Sequence, residues 1–177
     1  WLATLLSSPR PPKWRFSRPS PEARDVSQGI TKIRVGHEDF DVSAELAALA
    51  RPERTAGAAV TFTGIVRSDG EVLEMELEHY PGMTEKALEG IVEKARSRWD
   101  LEDVVVIHRV GPLKVGEQIV LTLVTSSHRR EAFEACEFIM DWLKTEAPFW
   151  KKETTAAGAR WVDARESDEA ARERWLK

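Results

Sequence analysis

A chain of 177 residues and 20.0 kDa is long enough for one domain with a substantial core and too short for two comfortable ones. With 42% hydrophobic and 32% charged residues it has an ordinary globular composition, and no apolar run approaches the ~20 residues of a bilayer-spanning helix. The net charge of −4 argues against a nucleic-acid binder driven by a basic face, and the single cysteine, Cys136, excludes an intrachain disulfide and any cysteine-based zinc cluster, which suits a reducing cytoplasm.

Residues 1–28 carry five of the nine prolines, interspersed with Ser and Arg, and show neither a period of 2 nor one of 3.6. They read as a disordered or loosely docked extension, so residues 29–177 are expected to form the single folded domain. Ile30, Ile33 and Val35 then suggest a first strand, and Leu46 with Leu49 a short helix that Pro52 must stop. Ala58 to Arg67 is a β-rich run, and Asp69-Gly70 predicts a hairpin joining it to the next strand. In that strand Leu73, Met75 and Leu77 alternate with Glu74, Glu76 and Glu78, the pattern of a half-solvated antiparallel strand.

Pro81-Gly82 predicts a turn. A helix capped by Thr84 follows, with Ala87, Leu88, Ile91, Val92, Ala95 and Trp99 along one stripe. Val104 to Val110 reads as a buried strand, Gly111-Pro112 and Gly116-Glu117 as turns, and Ile119 to Thr125 as another strand. Ala132, Phe133, Cys136, Ile139, Met140 and Leu143 form the apolar stripe of a second long helix, which delivers Lys144 at its last turn. Arg160-Trp161-Val162 suggests a short strand, and the charge-dense stretch from Asp163 to Lys177 a terminal helix. Hairpins separated by helices, without strict βαβ alternation, predict an α+β fold with a mainly antiparallel sheet and packed helices.

Three polar groupings fall at the ends of predicted elements, where sites tend to lie. Arg67 closes the first β run. Ser126-Ser127-His128-Arg129-Arg130 sits between a strand and a helix N-terminus, where free N–H groups, the helix dipole and arginine forks all favour a phosphate. Lys144 and Lys151, seven residues apart, flank Pro148, Phe149 and Trp150. Apolar walls or a second cation favour a neutral, nucleophilic amine, which an ordinary solvated lysine is not.

Taken singly, each grouping has a plainer account: a hairpin-flanking charge, a solvated helix start, and a cation suited to a helix C-terminus. Cys136 lies on an apolar helix face and reads as core. His79 and His108 fall in strands and read as structural, and the four histidines lack metal-ligand spacing, so neither a metal nor a resident cofactor is expected.

Taken together, the residues carry a resemblance. Gly57 to Arg67, Glu78-His79-Tyr80-Pro81-Gly82-Met83, Ile107-His108-Arg109-Val110-Gly111, Ser127-His128-Arg129, Phe133-Glu134-Ala135-Cys136 and Lys144 to Glu153 resemble, in order, the signature blocks of the large, catalytic subunit of molybdopterin synthase. The resemblance covers about Ile30 to Arg165. It implies an α/β-hammerhead-like fold with a small additional antiparallel subdomain.

The family is a sulfurtransferase that adds two sulfurs to cyclic pyranopterin monophosphate, making the molybdopterin dithiolene. The sulfur comes from the C-terminal thiocarboxylate of a small ubiquitin-like partner ending in Gly-Gly. The resemblance implies that Lys144 and Lys151 are catalytic, with Lys151 the more direct participant as acid/base or as a transient covalent adduct. It also implies substrate contacts from Ile65, Val66, Arg67, His128, Arg129, Lys144, Lys151, Lys152 and Glu153. Phe62 and Met140 line the pocket, although periodicity alone makes them ordinary core, and Arg165 reaches a neighbouring subunit's pocket in a homodimer. With two carrier subunits the assembly is a heterotetramer. Two other classes fit less well: a non-catalytic scaffold for a ubiquitin-like tail, against which the lysine pair and arginines argue, and an RNA or nucleotide binder, against which the acidic balance argues.

Overall fold

The computed structural model describes residues 29–51, 55–68, 70, 72–162 and 166–176. The extension expected over residues 1–28, the helix stop at Pro52, Asp69 of the expected hairpin turn, and Arg165 lie outside the described residues. In chain order the elements are β1 (Thr31–Gly36), α1 (Val42–Leu49), β2 (Ala58–Ile65), β3 (Val72–His79), α2 (Met83–Arg98), β4 (Leu101–Arg109), β5 (Gly111–Lys114), β6 (Gln118–Ser126), α3 (Arg129–Glu146), β7 (Phe149–Thr155), β8 (Gly158–Val162) and α4 (Glu166–Glu173), followed by a 3-10 turn (Arg174–Leu176).

The strands form two four-stranded sheets, β1-β4-β6-β2 and β5-β3-β7-β8. Only the β1–β4 pairing is parallel among the described residues, so the α+β, mainly antiparallel expectation holds. The first sheet is covered on both faces. Val104 and Val106 of β4, with Val120 and Val124 of β6, pack against Leu88, Ile91 and Val92 of α2 and Phe138 and Ile139 of α3. The alternate residues Val105, Ile107, Leu121 and Leu123 pack with Phe40 and with Leu49 of α1. Two-sided burial is why β4 reads as an unbroken apolar run, whereas β3, with Met75 and Leu77 buried and Glu78 exposed, alternates. The second sheet has its own small core of Val66, Met75, Leu77 and Leu113.

Four local expectations are corrected. A turn does follow β2, with Ser68 Oγ donating to the Val72 carbonyl and accepting from the Gly70 N–H. It does not close a hairpin, because β2 pairs with β6 in the first sheet while β3 pairs with β5 and β7 in the second. A Gly-containing turn signal specifies a change of direction and says nothing about which strands pair. Gly111-Pro112 is not a turn but the start of β5, an edge strand whose free side tolerates a residue without an N–H. Gly111 takes φ 82° beside the His37 ring, where an added Cβ would come within 2.5 Å of Nδ1. This lets the chain pass from the centre of one sheet to the edge of the other with only Val110 between. Thr84 does not cap α2 from outside. It lies buried in the first turn with Oγ1 donating to the Tyr80 carbonyl, while Gly82 is the N-cap and its N–H donates to Glu85. The stretch after Lys144, for which no element was expected, is β7, the strand that joins β3 to β8.

The C-terminal helix appears where expected and docks along α3. Arg174 reaches Glu137 at 2.6 Å and Asp141 at 2.7 Å, and the Trp175 indole donates to Asp141 while packing edge-on against Trp99 and Phe138.

Candidate active site

The two sheets meet along a seam that opens into a cleft of about 750 Å³. Its walls come from the end of β2 and the residues after it (Phe62 to Arg67), from Met75 and Leu77 of β3, from Ile119 and Val120 of β6, and from Met140 and Leu143 of α3. Phe62 is 40% exposed, so the position that periodicity assigned to the core opens onto the cleft, while Met140 is both buried and lining.

Into this space project the polar groups. Lys144 arrives on the last turn of α3, and Lys151 arrives from β7. The alternation of a strand places Phe149, Lys151 and Glu153 on the cleft side of β7. Trp150 and Lys152 face the other way, where Trp150 is exposed and Lys152 pairs with Glu76 at 3.3 Å and lies over Trp161. Of the expected strip Lys151-Lys152-Glu153, the first and third members line the cleft and Lys152 lies on the opposite face of the strand.

Each cleft lysine has its own carboxylate instead of facing its twin unscreened. Lys151 Nζ lies 2.7 Å from Glu153, and Lys144 Nζ lies 3.8 Å from Asp168 of α4. The Glu153 carboxyl is held below the usual carboxylate range chiefly by the hydrogen bond from Lys151, with Arg160 at 3.3 Å adding to it against the opposing effect of burial. Arg67 lines the cleft with no ion-pair partner among the described residues, which leaves its guanidinium fork open to an anion.

His128 and Arg129 are not in this cleft. They are exposed at the N-terminal end of α3, whereas Lys144 stands at its C-terminal end, a separation of roughly 24 Å at 1.5 Å per residue. A straight helix cannot bring its own two ends together.

Two cleft residues were not anticipated. Asp168 comes from a charge-dense stretch with nothing in its pattern to single it out. His108 was read as structural from its place in a buried strand. It is 6% exposed, lines the cleft, and stacks on Phe149 with ring centroids 3.8 Å apart. A lone imidazole in the apolar run Val104-Val105-Val106-Ile107-His108 was the available signal. Burial pushes it down from 6.5 to about 4, with His79 contributing in the same direction, against the hydrogen bond to the Arg109 carbonyl. Cys136 is core, as read: its thiol is buried, lies 3.8 Å from the Thr122 carbonyl, and is pushed up to about 12 by burial and by Glu137. Among the described residues no His, Cys, Asp and Glu side chains cluster as metal ligands.

The sequence profile of the MoaE protein family matches residues 35–146. The molybdopterin synthase catalytic subunit of Ralstonia nicotianae is 64% identical over 146 residues, covering 81% of this chain and 83% of that protein. That of Escherichia coli is 57% identical over 148 residues, covering 82% and 98%. The solved structure of the molybdopterin biosynthesis MoaE protein from Burkholderia ambifaria has the same fold, with a TM-score of 0.72 at 55% identity over 84% of this chain and 99% of that one. With its two sheets, its seam cleft and these relatives, the chain belongs to the MoaE family, the family of molybdopterin synthase catalytic subunits.

Proposed function

We propose that this chain transfers sulfur from the C-terminal thiocarboxylate of a small ubiquitin-like carrier to cyclic pyranopterin monophosphate, forming the dithiolene of molybdopterin. The observation that carries this reading is the convergence of Lys144, Lys151 and Arg67 on one cleft of about 750 Å³. Arg67 supplies a fork for the phosphate, and the apolar walls at Ile65, Val66, Phe62 and Met140 give the ring system a dry surface. Lys151 is the more enclosed amine, at 31% side-chain exposure against 51% for Lys144, and Glu153 fixes its position. It is the group placed to shuttle a proton or to form a transient adduct, with Lys144 beside it.

His128 and Arg129 join this site from a second copy of the chain, since their own helix holds them away from their own cleft. The working assembly is accordingly a homodimer with composite sites, Arg165 reaching across, and two carriers completing a heterotetramer. The relatives' name, catalytic subunit, fits an enzyme with further components. The reaction belongs in the cytoplasm, where carrier thiocarboxylate and substrate meet under reducing conditions.

The test is to incubate the protein with thiocarboxylated carrier and the pterin precursor and to look for the dithiolene product. Product formation is expected, with carrier consumed to its carboxylate. A scaffold that merely captured the carrier tail would bind carrier and make no product, and that outcome would overturn the proposal.

A further inference from the structure

We propose that His108 is a substrate-contacting residue of the cleft, its Nε2 accepting a hydrogen bond from an N–H donor of the bound pterin. The inference rests on the function proposed above and extends it to how the heterocycle is recognised.

The tautomer follows from one bond. His108 Nδ1 lies 2.8 Å from the Arg109 carbonyl oxygen, which can only accept, so Nδ1 carries the proton. In the neutral ring Nε2 is then the lone-pair nitrogen, and no described residue bonds it. The enclosed position that pushes the imidazole down to about 4 keeps the ring in this neutral form at working pH.

The ring cannot swing away from the cleft. It is clamped by the Nδ1 bond on one edge and by the Phe149 stack, at 18° between planes, on one face. Phe149 stands two residues before Lys151 on the cleft side of β7, so the acceptor and the amine are positioned by the same strand.

What the cleft otherwise offers makes this acceptor distinctive. Arg67, Lys144 and Lys151 are donors. Among the side-chain acceptors of the described lining, Glu153 is engaged by Lys151 and Arg160, whereas Asp168, 3.8 Å from Lys144, the Thr63 hydroxyl and His108 Nε2 remain open; of these His108 Nε2 is the neutral ring nitrogen fixed in direction. A pterin has amino and ring N–H donors that need acceptors, while its phosphate takes the cations. A rigid acceptor in a wall shared with Leu77 and Val120 penalises any ligand that cannot donate to it, because the nitrogen is then left unpaired and dry.

The direct test uses the wild-type protein labelled with 15N-histidine and titrated with cyclic pyranopterin monophosphate. The Nε2 resonance is expected in the unprotonated range without ligand and to move upfield on binding. A second arm measures precursor affinity: His108→Phe keeps the stack but not the acceptor and is expected to weaken binding about tenfold, while His108→Gln recovers it to within about threefold. An Nε2 signal that stays still while the precursor binds, or a folded His108→Phe with wild-type affinity, would overturn the inference and leave the proposed function standing. A wild-type protein that binds no precursor would overturn both.

Discussion

Lys151 Nζ lies 2.7 Å from Oε1 of Glu153, two residues further along the same face of β7. The strand that carries the amine also carries its anchor, so the pair forms wherever β7 forms. Lys151→Ala is expected to lower product formation on the order of 10²–10⁴-fold while leaving carrier binding largely intact. Adding Glu153→Ala to Lys151→Ala should cost little more, because groups acting as a unit are not additive. Turnover of the two single variants and the double variant measures this, and losses that simply multiply would separate the two residues.

The proposed sharing of sites between two copies makes a second expectation. Arg165→Ala and Lys151→Ala chains, each inactive alone, should regain activity when combined in mixed dimers, since one of the two clefts then receives both an intact amine and an intact arginine. Co-expression with two different tags and assay of the doubly purified species tests this, and an inactive mixed dimer counts against sharing between copies.

Acid stability should report His108. Its folded value of about 4 lies below the ordinary 6.5, so between these pH values the unfolded chain binds a proton that the native chain refuses. The contribution is complete above pH 6.5 and is lost as pH falls toward 4, about 3 kcal/mol in all for a shift of this size at ~1.36 kcal/mol per unit. Glu134, held low mainly by its hydrogen bond from Arg130, and Glu153 act in the same direction but at lower pH, in the carboxylate range. Urea midpoints measured from pH 7 to pH 4.5 should therefore fall for the wild type and stay flatter for His108→Phe.

Cys136 should prove chemically silent. With its thiol pushed up to about 12 and its side chain 4% exposed, alkylation at pH 8 is expected to be slow in the native protein and fast once it is unfolded. Cys136→Ala should retain sulfur transfer at a stability cost on the order of 1 kcal/mol. Mass spectrometry of the alkylated protein checks the first half, and turnover together with a melting curve of the variant checks the second. A sulfur-carrying cysteine would alkylate readily in the native protein and lose turnover on substitution.

Much of this architecture was legible because burial leaves periodic marks. The stripe from Ala132 to Leu143 marked α3, and the alternation from Glu74 to Glu78 marked β3. The partition of strands between two sheets left no such mark: β2 and β3 are separated by a short turn in sequence, yet each finds its partners far along the chain. The cleft was legible in part. Lys144, Lys151 and Arg67 stood out as charges at element ends, while His108 was hidden because a ring lining a cleft from within a buried strand has the same local pattern as a ring in the core. The separation of His128 from Lys144 follows from the length of one helix, which spacing shows only once both ends are placed on it.

Lys151 and Lys152 are adjacent and chemically the same, and only the pleat of β7 turns one into the cleft and the other outward to pair with Glu76. Inserting a single residue just before Phe149 would not dilute this arrangement but invert it, turning Trp150 and Lys152 inward and taking the phenyl ring from beneath the imidazole and Lys151 out of the cleft. The short connection from α3 into β7 is therefore the part of the molecule where a change of length, more than a change of residue, is expected to be lethal to activity.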